Sequence, residues 1–135
     1  MSSQAKTVRL GLTILLSAYW LALFTATHIP YVPRELDLPG GDKSQHLVAY
    51  AGLAFLLALR QWYGSSPTWK RAWTVLGIVA VYGIVDELTQ IPVGRTAEVL
   101  DWLADVAGAV GGLALLAGLR GALGRLTESH RDGAS

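Results

Sequence analysis

The chain has 135 residues, 52% of them hydrophobic and 16% charged, with a formal net charge of +1 and no cysteine. That is the length of one domain. It carries too few charges to cover a soluble surface, where about a quarter of the residues are usually charged, and enough apolar residues to cover a lipid-facing one. Without cysteine, disulfides and thiolate metal sites are excluded, and the near-neutral balance of scattered basic residues excludes nucleic acid as a partner.

A bilayer core about 30 Å thick needs roughly 20 mainly apolar residues per helix. Four stretches qualify as spans, from about Leu10 to Ala26, Gln45 to Leu59, Ala72 to Ile91 and Val99 to Leu119. The first carries no charge on any face, which a helix of a soluble bundle would need. Lys6 and Arg9 precede it as they would a signal peptide, but its apolar run is longer than a signal core and no A-x-A site follows, so it reads as an uncleaved helix. The second is the shortest, and Trp62 and Tyr63 extend it as an interfacial anchor. Breaks fall at Pro30, Pro33, Pro39, Gly40 and Gly41, then from Gly64 to Pro67, then at Pro92 and Gly94. The expected architecture is all-α, a polytopic membrane protein with a four-helix transmembrane bundle at 10–120. A cytoplasmic amino terminus at 1–9 precedes it and a cytoplasmic polar tail at 121–135 follows, disordered from Thr127 to Ser135.

Lys and Arg accumulate on the cytoplasmic side of bacterial inner-membrane proteins. With the amino terminus inside, Lys6, Arg9, Arg60, Lys70, Arg71, Arg120, Arg125 and Arg131 lie inside, eight of the eleven basic residues, and only Arg34, Lys43 and Arg95 lie outside. Both termini are therefore expected in the cytoplasm. The acids show the opposite bias. Glu35, Asp37, Asp42, Asp86, Glu87, Glu98, Asp101 and Asp105 fall outside or near the outer helix ends, and only Glu128 and Asp132 fall inside.

Asp86 and Glu87 lie within the third span, Asp86 roughly 9 Å below its outer end at 1.5 Å per residue. Asp105 is about as deep in the fourth. The series Asp42, His46, Tyr50, the series Tyr82, Asp86, Gln90 and the pair Asp101, Asp105 repeat at intervals of four, so each occupies one helix face. A central Asp in a membrane helix costs about 3 kcal/mol on insertion scales. Such acids face one another, a water-filled pocket or a counter-ion, with Lys43 and Arg95 the expected partners.

These residues carry a resemblance. Asp42-Lys43-Ser44-Gln45-His46, with Tyr50 following, resembles the first motif of VanZ-like membrane proteins. Tyr82-Gly83-Ile84-Val85-Asp86-Glu87-Leu88-Thr89-Gln90, then Gly94-Arg95, then Asp101 and Gly108, is similar to that family's second motif. The resemblance covers roughly residues 28 to 116. Asp105 stands where the family commonly has an Asn before the Gly. The resemblance implies a cell-envelope protein of the teicoplanin-resistance family, one that handles or shields a lipid-linked cell-wall component at the outer leaflet.

The candidate ligand-binding residues are Asp42, Lys43, His46, Tyr50, Asp86, Glu87, Gln90, Arg95, Asp101 and Asp105. Several chemistries stay open for them. Asp42, His46, Asp86 and Asp105 are suitable ligands for a divalent cation, although no HExxH is present and the sequence requires no cofactor. Lys43 and Arg95 suit a phosphate or sugar headgroup. A hydrogen-bonded network that only orders the bundle uses the same residues. His46 or Asp86 would be the acid or base if the protein were a hydrolase or transferase on a lipid headgroup. A small transporter or assembly partner is the remaining alternative. Gly108 and Gly112 form a GxxxG that serves either close packing within the chain or a homo-oligomer. His28 and Trp102 read as interfacial residues.

Overall fold

The computed structural model describes residues 2–30 and 41–132, with side chains through 126. Pro33, Arg34, Glu35, Asp37, Pro39 and Gly40, to which the sequence assigns a break and outer charges, lie outside the described residues, as do 133–135 of the tail. Among the described residues four α-helices make the fold, α1 (Ser3–Thr27), α2 (Asp42–Trp62), α3 (Trp69–Gln90) and α4 (Val99–Asp132). The helix starts follow local chemistry. Ser2 accepts from the Ala5 amide and Thr68 from the Arg71 amide, each satisfying one of the free N–H groups of a first turn. Pro92, in the 3-10 turn Ile91–Val93, ends α3, and Gly94 at φ +84° reverses the chain where a side chain would be strained.

All four helices outrun the expected spans, α2 and α3 by about a turn and α1 and α4 by more. Helix α1 begins at Ser3 because Lys6, Thr7, Val8 and Arg9 continue a helix that Ser2 has already capped. Helix α4 runs to Asp132 and takes in most of the tail expected to be disordered. No proline interrupts the chain after Pro92, and Leu, Arg and Ala around Gly121 and Gly124 favour helix. At 34 residues α4 is about 50 Å long and exceeds a bilayer core by several turns.

Contacts between side chains set the directions of the helices. Tyr19 meets Ala49, Thr13 meets Arg60 and Arg9 meets the Tyr63 carbonyl, so α1 runs antiparallel to α2. Trp102 meets Ala80 and Glu98 meets Glu87, so α3 runs antiparallel to α4. Lys43 meets Asp101 and the Trp62 carbonyl meets Arg120, so α2 and α4 are parallel and adjacent over the whole of α2. The bundle is thus up-down-up-down, with α2 and α4 as its close central pair. Glycine makes that pair close. A Cβ on Gly108 would collide with the Leu47 carbonyl, and one on Gly112 with the Ala51 carbonyl. This GxxxG face is filled by α2 of the same chain.

The core is correspondingly central. Tyr50, Leu53, Ala54 and Ala58 of α2, Val75 and Val79 of α3, and Ala109, Leu113 and Leu116 of α4 are buried. Outside it, Leu10, Ile14, Leu21, Val81, Leu88, Leu103, Leu115 and Leu123 are exposed, Leu21 at 68%. Contiguous apolar surface on this scale is a surface for lipid or for another protein. Three helices, Ser3–Thr27, Trp69–Val93 and Val99–Leu126, are long and apolar enough to cross a membrane, and only 11% of the apolar window of the first is buried within the bundle. These are features of a membrane protein. Helix α2 is not in this group, because Asp42, Lys43, Gln45 and His46 at one end and Arg60 and Gln61 at the other shorten its apolar run.

Candidate functional site

The bundle gathers opposite chemistries at its two ends. At the end formed by the start of α1, the end of α2 and the start of α3, arginines bond to backbone carbonyls. Arg9 donates to Tyr63, Arg71 to Ser66, and Arg120 to Trp62 and Ser65. Guanidinium groups there satisfy the carbonyls left over at the carboxyl terminus of α2 and complement its dipole.

The other end holds the acids in two layers. In the outer layer, Lys43 lies 2.9 Å from Glu98 and 3.1 Å from Asp101, and Arg95 lies 2.7 Å from Asp42. Lys43, Glu98 and Asp42 are about half exposed, whereas Asp101 is buried.

In the inner layer Asp86, Asp105, Glu87, His46, Tyr50 and Gln90 are all buried. Asp86 Oδ2 accepts from the Tyr50 hydroxyl at 3.0 Å and from Gln90 Nε2 at 3.2 Å. Its Oδ1 accepts from the Thr27 hydroxyl at 3.0 Å and the Tyr82 hydroxyl at 3.4 Å. Beside this group, His46 Nδ1 lies 2.8 Å from Asp105 Oδ1 and 4.0 Å from Glu87 Oε1. Glu87 Oε2 accepts from the Glu98 amide at 2.8 Å. Among the described residues, Glu87 Oε1 and Asp105 Oδ2 are buried and have no hydrogen-bond partner. Gly83 admits this arrangement, since a Cβ there would come within 2.8 Å of Asp105 Oδ2.

All ten candidate binding residues therefore meet at one end of the bundle, but their pairing differs from the expected one. Lys43 and Arg95 pair with the outer acids Glu98, Asp101 and Asp42. The inner acids are met by hydroxyls, an amide, a backbone N–H and an imidazole. The reason is reach, because Lys43 stands half exposed at the start of α2 and Arg95 lies just beyond the turn after α3, where the outer carboxylates are the nearer partners. The structure also brings in residues the sequence reading did not place here. Thr27 bonds to Asp86, and the His28 ring lies 3.8 Å from Asp86 Oδ1 rather than serving only at the interface. Leu23 follows Leu16 by seven residues and Thr27 follows Leu23 by four, so all three lie on the buried face of α1. Trp102 ties α4 to α3 by donating to the Ala80 carbonyl at 3.0 Å.

Two openings adjoin the site. A small cleft of about 70 Å³ has Leu23, Ala26 and Ala49 on its walls beside Asp42, His46 and Arg95. An apolar groove of about 350 Å³ runs between α3 and α4 along Ile84, Leu88, Val99 and Trp102, with Glu87 and Glu98 at its polar edge. No family model, no curated protein and no solved structure matches the chain.

Proposed function

We propose that the protein is a VanZ-like integral membrane protein of the bacterial inner membrane that holds the anionic headgroup of a lipid-linked envelope component at the outer face. In this reading α2 is a fourth span and both termini are cytoplasmic. Support for the fourth span comes from packing, since α2 lies parallel to α4 from Lys43 to Trp62. Its 21 residues span about 32 Å, enough for a bilayer core. Support for the orientation is the gathering of Arg9, Arg60, Arg71 and Arg120 at one end.

The observation that carries the headgroup reading is the pairing of a small cleft edged by Arg95, Asp42 and His46 with a lateral apolar groove at the same end. A lipid-linked ligand needs both surfaces, one for the charged group and one for the chain. Asp42 and Glu98, which hold Arg95 and Lys43, are themselves half exposed, so an anionic oxygen can replace either carboxylate without leaving a buried charge unpaired. By its resemblance, the consequence of this binding is tolerance to teicoplanin. The test is the teicoplanin susceptibility of a sensitive host expressing the protein, beside an equally abundant Arg95→Gln variant. Protection by the wild type, lost in the variant, is the expected result. No protection by the wild type overturns the envelope reading, and full protection by the variant removes Arg95 from it.

A further inference from the structure

We propose that His46, Glu87 and Asp105 form a binding site for one divalent first-row metal ion. One donor atom from each lies within 4.8 Å of the other two, and all three residues are buried. Metal–ligand bonds of about 2.0–2.2 Å at tetrahedral angles place the donors about 3.4 Å apart. The observed separations of His46 Nδ1, 2.8 Å to Asp105 Oδ1 and 4.0 Å to Glu87 Oε1, bracket that spacing.

A group of acids alone would not carry the proposal. The second observation is the orphaned oxygen of Glu87. Its Oε2 is fixed by the Glu98 amide, which leaves Oε1 turned toward His46, buried and without a donor among the described residues. Asp105 Oδ2 is likewise buried and unpartnered among them. Carboxylate oxygens in such surroundings are costly unless a proton, a donor or a cation reaches them. Lys43 and Arg95 do not, because their partners are Glu98, Asp101 and Asp42.

The neighbouring acids are already provided for. Both oxygens of Asp86 accept hydrogen bonds, so Asp86 stands outside the metal group. Asp42 and Asp101 also lie near His46, but each is held in an ion pair. One imidazole with two carboxylates, and no thiolate, suits Mn, Fe or Zn better than Mg or Ca. Loading displaces the proton between His46 Nδ1 and Asp105 Oδ1, which leaves to solvent.

The experiment uses the full chain purified in detergent, stripped with chelator, incubated with Mn²⁺, Fe²⁺ or Zn²⁺ and desalted, with metal then measured by mass spectrometry. Wild type is expected to retain about one equivalent of at least one of the three ions, Glu87→Gln to lose it about tenfold or more, and Asp101→Asn to keep it. The retained ion should raise the melting temperature of wild type and leave that of Glu87→Gln unmoved. Should Glu87→Gln not accumulate, Asp105→Asn, which keeps the shape of the side chain, replaces it in the same comparison. Retention of none of the three ions by wild type overturns the proposal. So does equal retention by the Glu87 or Asp105 variant, which would place the ion elsewhere. The readout is independent of drug tolerance. A metal-free protein that protects cells would overturn this inference alone, and a metal-bearing protein that does not protect would overturn only the headgroup reading.

Discussion

Asp86 shows at the residue scale how a carboxylate is kept inside the bundle. It is fully buried, yet Thr27 and Tyr82 serve one oxygen and Tyr50 and Gln90 the other. Those donors come from α1, α2 and α3, so the side chain ties three helices together. An ionised carboxylate is an acceptor on both oxygens, whereas an amide is an acceptor on one and a donor on the other. In Asp86→Asn the NH₂ is best turned toward Thr27 and Tyr82, whose hydroxyls must then accept instead of donate, and the bonds to a charged acceptor are lost. Such a mismatch of a buried group costs about 1–3 kcal/mol, so the variant is expected to be less stable by about that amount. Thermal melting of the helical signal in detergent measures this, and an unchanged melting temperature would show that Asp86 is not the anchor. Activity lost in this variant would then reflect folding, which makes Arg95→Gln the better probe of function.

At the scale of elements, the parallel contact of α2 and α4 decides where everything else sits. It depends on Gly108 and Gly112, each set against a backbone carbonyl of α2. Backbones this close gain dispersion and Cα–H···O contacts that larger residues forbid. Gly112→Ala must push α4 from α2 and is expected to destabilise by about 1–3 kcal/mol or more. Gly111 has open space beside it, so Gly111→Ala supplies the control. That change is neutral or stabilises by up to about 1 kcal/mol, because alanine is the better helix former. Equal melting temperatures for the two variants would contradict the packing described here. Displacing α4 also moves Asp105 away from His46, so the glycines position the inner layer without touching it.

The whole molecule is polarised, with arginines on helix ends at one side and acids at the other. The proposed topology follows from that polarity and can be checked directly, since the native chain has no cysteine to interfere. Single cysteines at Ser66 and Ala97 are expected to report opposite sides of the membrane. Ser66→Cys should react with a membrane-impermeant maleimide only after the cells are opened, and Ala97→Cys in intact cells. Both reacting from the same side would mean that α3 does not cross. The reverse pattern would invert the orientation and place the acidic site in the cytoplasm.

Much of this was legible in the chain itself. Hydrophobic length and the breaks at Gly64 to Pro67 and at Pro92 set the number and order of the helices, because burial of apolar surface and the limits on proline and glycine backbone act locally. Spacing by four placed Asp42, His46 and Tyr50, and likewise Tyr82, Asp86 and Gln90, on single faces, because helix geometry is local too. Nothing local, however, says which face meets which. That α2 is the buried centre, that Lys43 reaches Asp101 rather than Asp86, and that Thr27 joins the site from a helix about 60 residues away in sequence are outcomes of three-dimensional packing. They were decided where glycines let two helices approach and where each charge could find a partner or water, a balance of solvation and reach that exists only once the helices are assembled.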